Sequence, residues 1–138
     1  MRTALDSNVL SALWSSEPLA SRVAAELAEA YSQGGMVICA PVYAELLAHP
    51  SASQSFVDEF LSETGIVVDF GLDEPVWRLA AKSFAAYAQR RRRSAGGSPK
   101  RLLVDFIVAA HALLRADRLM TLDRARYERD FPRLRMVT

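Results

Sequence analysis

The chain is predicted to adopt an α/β fold with a mostly parallel central sheet covered by helices on both faces. Short apolar runs of strand length alternate with longer segments whose apolar residues recur at helical spacing, and strands joined through helices pair in parallel. Hydrophobic residues make up 51% of the sequence, which suits a compact core and argues against disorder. The 138 residues fit one domain, residues 1–138, large enough to need no staples.

Taken in order, Thr3 to Leu5 reads as a short buried strand. Asp6, Ser7 and Asn8 supply capping groups for a helix running to about Trp14. Ser15-Ser16-Glu17-Pro18 reads as the next helix start, because Pro fits a first turn. Leu19, Val23, Leu27 and Tyr31 then recur at helical spacing until Gly34-Gly35 ends the run. Met36 to Ala40 is a second strand, and Pro41 begins a helix that carries Glu45 and stops before Pro50. Residues 53–63 form an amphipathic helix with Phe56, Phe60 and Leu61 on its apolar side.

Ile66 to Phe70 is a third strand, rich in β-branched residues. Asp73-Glu74-Pro75 opens a long helix in which Val76, Leu79, Ala80, Phe84 and Tyr87 keep the period, running into Arg90–Arg93. Residues 94–99 are linker-like. A helix from about Leu102 to Arg115, a strand over Leu119–Leu122, a short helical or turn segment and a last strand over Leu134–Val137 complete the chain. No internal repeat is visible.

Composition narrows the function. The single cysteine, Cys39, lies in an apolar run and reads as a small core residue; with no partner thiol and no Cys/His cluster, neither a disulfide nor a zinc site is expected. No stretch approaches the roughly 20 apolar residues of a spanning helix, so a soluble, cytoplasmic protein without membrane contact is expected. The net charge of +1 hides an asymmetry: residues 1–77 carry 2 basic and 11 acidic side chains, residues 78–138 carry 15 and 5. Of the 17 basic residues 15 are arginine, the side chain best shaped for phosphate or carboxylate, so a polyanion or an acidic partner fits. The alternative is a surface whose opposite charges meet on folding.

Four acids stand where packing alone would not choose a carboxylate. Asp6 closes the first apolar stretch, Glu45 interrupts Val42-Tyr-Ala-Glu45-Leu-Leu, Asp105 lies within Leu102-Leu-Val-Asp105-Phe-Ile-Val, and Asp123 ends Leu119-Met-Thr-Leu-Asp123. In a parallel α/β sheet, sites form beyond the carboxyl ends of the strands. Asp6 and Asp123 follow strands directly, Glu45 sits one turn into a helix starting at that edge, and Asp105 lies in a first helical turn whose dipole favours an anion. Converging carboxylates repel unless a cation neutralises them. Mg²⁺, or Mn²⁺ in its place, fits all-oxygen ligation and can activate water against a phosphodiester. Asn8 and Thr121 are short polar groups suited to orienting a carboxylate or a water. Each acid also has a plainer reading: Asp6 a helix cap, Glu45 and Asp105 surface residues, Asp123 a turn residue.

The segments Leu5-Asp6-Ser7-Asn8-Val9-Leu10, Glu45, Asp105-Phe-Ile-Val-Ala-Ala-His-Ala and Thr121-Leu-Asp123, in this order over nearly the whole chain, resemble the PIN-domain nucleases, and among them the VapC-type toxins of bacterial toxin–antitoxin pairs. The resemblance implies a three-layer α/β/α fold, Mg²⁺- or Mn²⁺-dependent endoribonuclease activity and neutralisation by a small cognate antitoxin. By matching positions, Asp6, Glu45, Asp105 and Asp123 would form the acidic cluster, with Asp6, Asp105 and Asp123 holding the metal and Asn8 and Thr121 as polar support. Two departures stand out. Asn8 replaces the Ser or Thr of many members, and Tyr127 follows Asp123 by four residues, where an aromatic often comes slightly sooner. The second makes Asp117 an alternative fourth acid.

Arg90, Arg91, Arg92, Arg93, Lys100 and Arg101 precede the Asp105 helix and could guide an RNA backbone to the metal; the alternative is a solvated helix end. His111 falls on a different helical face from Asp105 and reads as structural or partly exposed, and His49 as a loop residue. Trp14 and Trp77 read as core or partner-interface anchors. Exposed apolar positions such as Trp14 or Leu61 would serve a homodimer or an antitoxin. A non-catalytic PIN-like module binding RNA or protein is the rival reading. A phospho-acceptor receiver domain fits less well, since Asp6 stands alone after strand one and no lysine follows Lys100.

Overall fold

The computed structural model describes residues 1–16, 18–94 and 101–137. Five strands form one sheet in the order β3-β2-β1-β4-β5, from β1 (Thr3–Leu5), β2 (Met36–Cys39), β3 (Ile66–Asp69), β4 (Arg118–Met120) and β5 (Met136–Val137). Every pairing is parallel. The helices are α1 (Ser7–Trp14), α2 (Ala20–Gln33), α3 (Ala40–Leu47), α4 (Gln54–Thr64), α5 (Glu74–Arg93) and α6 (Leu103–Arg115), with a 3₁₀ turn at Arg124–Arg126. This is the three-layer α/β/α arrangement that the alternation of strands and helices predicts. The central strands are buried on both faces, as an all-parallel sheet requires: β1 and β2 contain no exposed residue.

Several boundaries move from their sequence positions, each for a local reason. The helix expected from Pro18 begins at Ala20, with Leu19 as its N-cap. Its buried stripe is Val23, Leu27 and Ala30, while Leu19 and Tyr31 are exposed. Gly34 ends this helix at φ 144°, and a Cβ there would collide with the Met1 backbone, so the N-terminus packs directly on the glycine. In α4 the inward residues are Val57 and Leu61, one turn apart; Phe56 is exposed, its ring edge-on to Trp14. Leu61 is therefore core and not an available interface residue. Trp14 is partly buried against Phe56 and Phe60, and Trp77 is 46% exposed. Cys39 is buried, which pushes its thiol pKa up to about 11. Among the described residues no helix is long and apolar enough to cross a membrane.

The shift that matters for the site is in β4. It ends at Met120, two residues before the apolar run does, because the Leu122 amide donates to the Asn8 side chain at 3.1 Å instead of joining a ladder. Register pairs Leu5 with Met120, so Asp6 and Thr121 emerge side by side at the carboxyl edge of the sheet. Helices α5 and α6 run antiparallel, with Arg115 near the end of α6 paired to Asp73 at the start of α5. The arginine-rich end of α5 thus lies beside the first turn of α6, which carries Asp105.

Candidate functional site

Asp6 is the centre of the arrangement, and it is only 2% exposed. Oδ1 accepts from the Ser7 amide at 2.8 Å, capping α1. Oδ2 accepts from the Thr121 hydroxyl at 3.0 Å and from the Tyr127 hydroxyl at 2.6 Å. A helix cap alone requires only the first of these bonds. The remaining two orient a buried carboxylate from the far end of the chain, at the cost of desolvating it.

Thr121 is itself tied on both sides. Its hydroxyl accepts from Asn8 Nδ2 at 3.3 Å and from the Asp123 amide at 3.1 Å. Asn8 in turn holds the Leu122 amide through Oδ1. The two polar residues form a bridge from α1 to the segment after β4, with Asp6 and Asp123 attached to it.

Glu45 and Asp105 complete the group from α3 and α6. Asp105 is mostly buried; burial raises its pKa, with the charge of Asp6 adding and that of Arg126 opposing. Glu45 is exposed at the rim. Its pKa is raised by partial desolvation first, countered by a hydrogen bond from Ser7 and supplemented by the charges of Asp6 and Asp105. Asp123 is half-exposed, lying three residues beyond β4 and not directly after it. Asp117 sits at the opposite end of the sheet, just before β4, where it accepts the Arg2 amide. It is not near the cluster.

Two residues of this site have roles that the sequence does not reveal. Arg126, in the 3₁₀ turn, places its guanidinium 3.6 Å from Asp105 and 3.3 Å from Asp123. Burial works against its charge, yet Asp105 and the other acids hold its pKa above the ordinary arginine value. Tyr127 is 1% exposed and its hydroxyl is driven strongly upward by burial and by Asp6, so it remains a neutral donor. The sequence marks Tyr127 only as an aromatic four residues after Asp123, without its bond to Asp6; Arg126 has no signal beyond being one arginine of many.

Among the described residues no three carboxylate or imidazole groups close around a single point; instead Arg126 lies between Asp105 and Asp123. The donor set nevertheless fits a hard divalent ion. It is all oxygen, and burial first, with the charge of Asp6 adding, raises the pKa of both Glu45 and Asp105, a penalty on the ionised forms that a bound cation would offset.

The arginines divide. Arg90, Arg91 and Arg101 line a cavity at the junction of α5 and α6, together with Arg129. Arg92 and Arg93 are exposed outside it, and Lys100 lies outside the described residues. His111 is buried and bonds Asp69 at 3.0 Å, away from the acids; burial lowers its pKa. His49 follows α3 and contacts the Ser15 hydroxyl and the Trp14 ring.

The sequence profile of the PIN domain matches residues 3–132. The chain belongs to the PIN domain family. Solved structures share the PIN fold over almost the whole length. VapBC-1 from nontypeable Haemophilus influenzae is 24% identical with a TM-score of 0.66, covering 99% of this chain and 97% of that one. VapBC2 from Rickettsia felis, bound to a promoter DNA fragment, is 21% identical with a TM-score of 0.65, covering 99% and 98%. FitAcB from Neisseria gonorrhoeae is 21% identical with a TM-score of 0.65, covering 99% and 96%. A search of curated proteins finds no match.

Proposed function

We propose that this PIN-domain chain is a metal-dependent endoribonuclease, the cytoplasmic toxin of a toxin–antitoxin pair, formed by one domain over residues 1–138. The observation that carries the reading is the buried Asp6 carboxylate, held by Thr121 and Tyr127 at the carboxyl edge of a parallel sheet and electrostatically coupled to Glu45 and Asp105. A carboxylate fixed in this way is pre-organised for a cation, which is costly to arrange for stability alone. The solved structures of similar fold are the VapBC and FitAcB assemblies, which supports a small cognate antitoxin as partner.

Asp6, Asp105 and Asp123 would hold Mg²⁺, with Mn²⁺ as substitute. When bound, such an ion supplies Lewis acidity toward a phosphoryl oxygen and lowers the pKa of water. The protein's own residues do the rest. Asn8 and Thr121 orient Asp6 and the Asp123 segment. Glu45, at the open rim, is placed to take a proton from the attacking water. Arg90–Arg93, Lys100 and Arg101 attract the RNA backbone.

The test is RNA cleavage by the purified chain, freed of any copurifying partner, in EDTA, Mg²⁺ and Mn²⁺, with Asp105→Asn alongside. Metal-dependent cleavage lost in the variant supports the reading. RNA bound but left uncut by a folded, metal-binding protein would favour a binding module. Cleavage surviving both EDTA and the substitution would overturn the site.

A further inference from the structure

A cavity of about 440 Å³ opens where the end of α5 meets the start of α6 and the turn after Tyr127. Among the described residues, Arg90, Arg91, Arg101 and Arg129 line it with Tyr87 and one acid, Asp130. Among the described lining residues arginines outnumber carboxylates, which gives the concave space a basic character. Such an arrangement is unfavourable without an anion. Asp130 is engaged already: it is almost fully buried and paired with Arg90, so it sets the direction of that side chain more than it neutralises the cavity.

Two of the four arginines are anchored by the fold. Arg90 is held by Asp130 and lies over the Tyr87 ring, 5.9 Å from its centroid. Arg101 donates through its backbone amide to the Tyr87 hydroxyl at 2.9 Å and through its guanidinium to the Ala125 carbonyl at 3.2 Å. The ordering entropy of both is therefore already spent, which favours binding. Arg129 is exposed and also lines the cavity. Planar guanidiniums suit the paired oxygens of a phosphodiester.

The cavity neighbours the acidic centre through Arg101 and the turn at Ala125. Ala125, which Arg101 grips, adjoins Arg126, which pairs with Asp105, and the charge of Arg101 acts directly on Asp105. An extended polyanion could occupy both at once. Tyr87 is 8% exposed, its ring packed against Phe84 and Phe106 with the Arg90 guanidinium above it. Among the described lining residues the one aromatic, Tyr87, is buried and offers no open face to a base, so the cavity suits backbone and not sequence.

We infer that this cavity binds a backbone phosphate of the RNA strand cut at the neighbouring acids, away from the scissile bond. The inference rests on the nuclease reading above. It adds Arg129 to the substrate contacts and assigns Arg90 and Arg101 a fixed, pre-oriented role that Arg92 and Arg93 lack.

The test uses Arg129→Gln and the pair Arg91→Gln/Arg129→Gln, with Arg92→Gln/Arg93→Gln as the comparison of equal charge loss. Binding of a fluorescent single-stranded oligoribonucleotide is measured by anisotropy in EDTA across a salt series. Each lost phosphate contact should lower the slope of log affinity against log salt by about 0.7. With one phosphate in the cavity, the Arg91/Arg129 pair should lose up to about 0.7 and the Arg92/Arg93 pair clearly less. Circular dichroism melts confirm folding, and Arg129→Gln, at an exposed position, guards against a collapsed double variant. Equal losses in the two pairs would reduce the cavity to general surface charge and overturn the inference. Competition by inorganic phosphate without any change in the RNA slope would mark a free-anion site and also overturn it. So would an effect confined to binding of an acidic protein segment. The slope change in a wild-type protein that cuts no RNA keeps the cavity and removes the nuclease; normal cutting without the slope change does the reverse.

Discussion

The Tyr127 hydroxyl donates to Asp6 Oδ2 at 2.6 Å, a buried bond between residues 121 positions apart. It connects the carboxylate at the end of the first strand to the turn that follows the fourth, and so couples the geometry of the site to closure of the sheet. Tyr127→Phe removes the donor and leaves a buried carboxylate with one fewer partner. The expected destabilisation is about 1.5–3 kcal/mol, the range for hydrogen bonds to charged groups, read from urea unfolding. RNA cleavage should fall with it, since Asp6 loses one of the two bonds that aim Oδ2. A variant as stable as the parent would show that Thr121 alone suffices.

The two candidate fourth acids separate cleanly in space, which makes them a sharp pair to compare. Asp117 faces the Arg2 amide at the amino end of the sheet, whereas Asp123 shares Arg126 with Asp105. Asp117→Asn keeps an oxygen to accept that amide and should leave RNA cleavage at the parental rate. Asp123→Asn should lower it by about tenfold to a hundredfold, below the 10²–10⁴-fold expected of a group transferring the proton. Equal loss in both variants, with both folded, would contradict the assignment.

How much of this was readable beforehand depended on whether local pattern or a distant partner decided each feature. The strand followed at once by Asp6 could be read because an apolar run ending in a capping acid is a local signal. The β4 boundary could not: Leu122 extends the apolar run, and only the side chain of Asn8, 114 positions away, diverts its amide. Leu61 looked available for a partner because amphipathic spacing does not say which of Phe56, Val57 or Leu61 faces inward; packing of Phe56 on Trp14 decides it. Arg126 was hidden among 15 arginines with nothing in its spacing to single it out. Its role follows from a 3₁₀ turn that no periodicity encodes.

Glu45 gives the site a predictable pH signature. Its folded pKa lies above the ordinary carboxylate value, so the folded protein favours the protonated form. At pH values below the unfolded pKa the ionisation penalty is absent; it grows as pH rises through the folded pKa and is complete at neutrality. Glu45→Gln should therefore raise the melting temperature of metal-free protein at pH 7 by on the order of 1–2 °C, small because the rim position remains wet, and have no such effect near pH 4. A gain that is larger at pH 4 than at pH 7 would reverse the sign and refute the argument. Saturating Mg²⁺ should diminish the gain at pH 7, because the ion's positive charge favours the ionised carboxylate.

Arg126 stands between two of the acids assigned to the ion, and the consequence can be measured without any RNA. In metal-free protein its guanidinium partly neutralises Asp105 and Asp123; a divalent cation drawn to the same oxygens must compete with it. Arg126→Gln removes the competitor while keeping a polar side chain. Two opposite effects are expected from the one substitution. In EDTA the melting temperature should fall, because Asp105, already raised in pKa by burial, loses its nearest counter-charge. Mn²⁺ affinity, measured by calorimetry or spin resonance at low ionic strength, should rise about threefold to tenfold, the equivalent of roughly 1 kcal/mol for a partly exposed ion pair. The gain should shrink as salt is added, because screening weakens the guanidinium as a competitor. Mn²⁺ binding that weakens in the variant would mean that Arg126 supports the ion's site and does not contend for it.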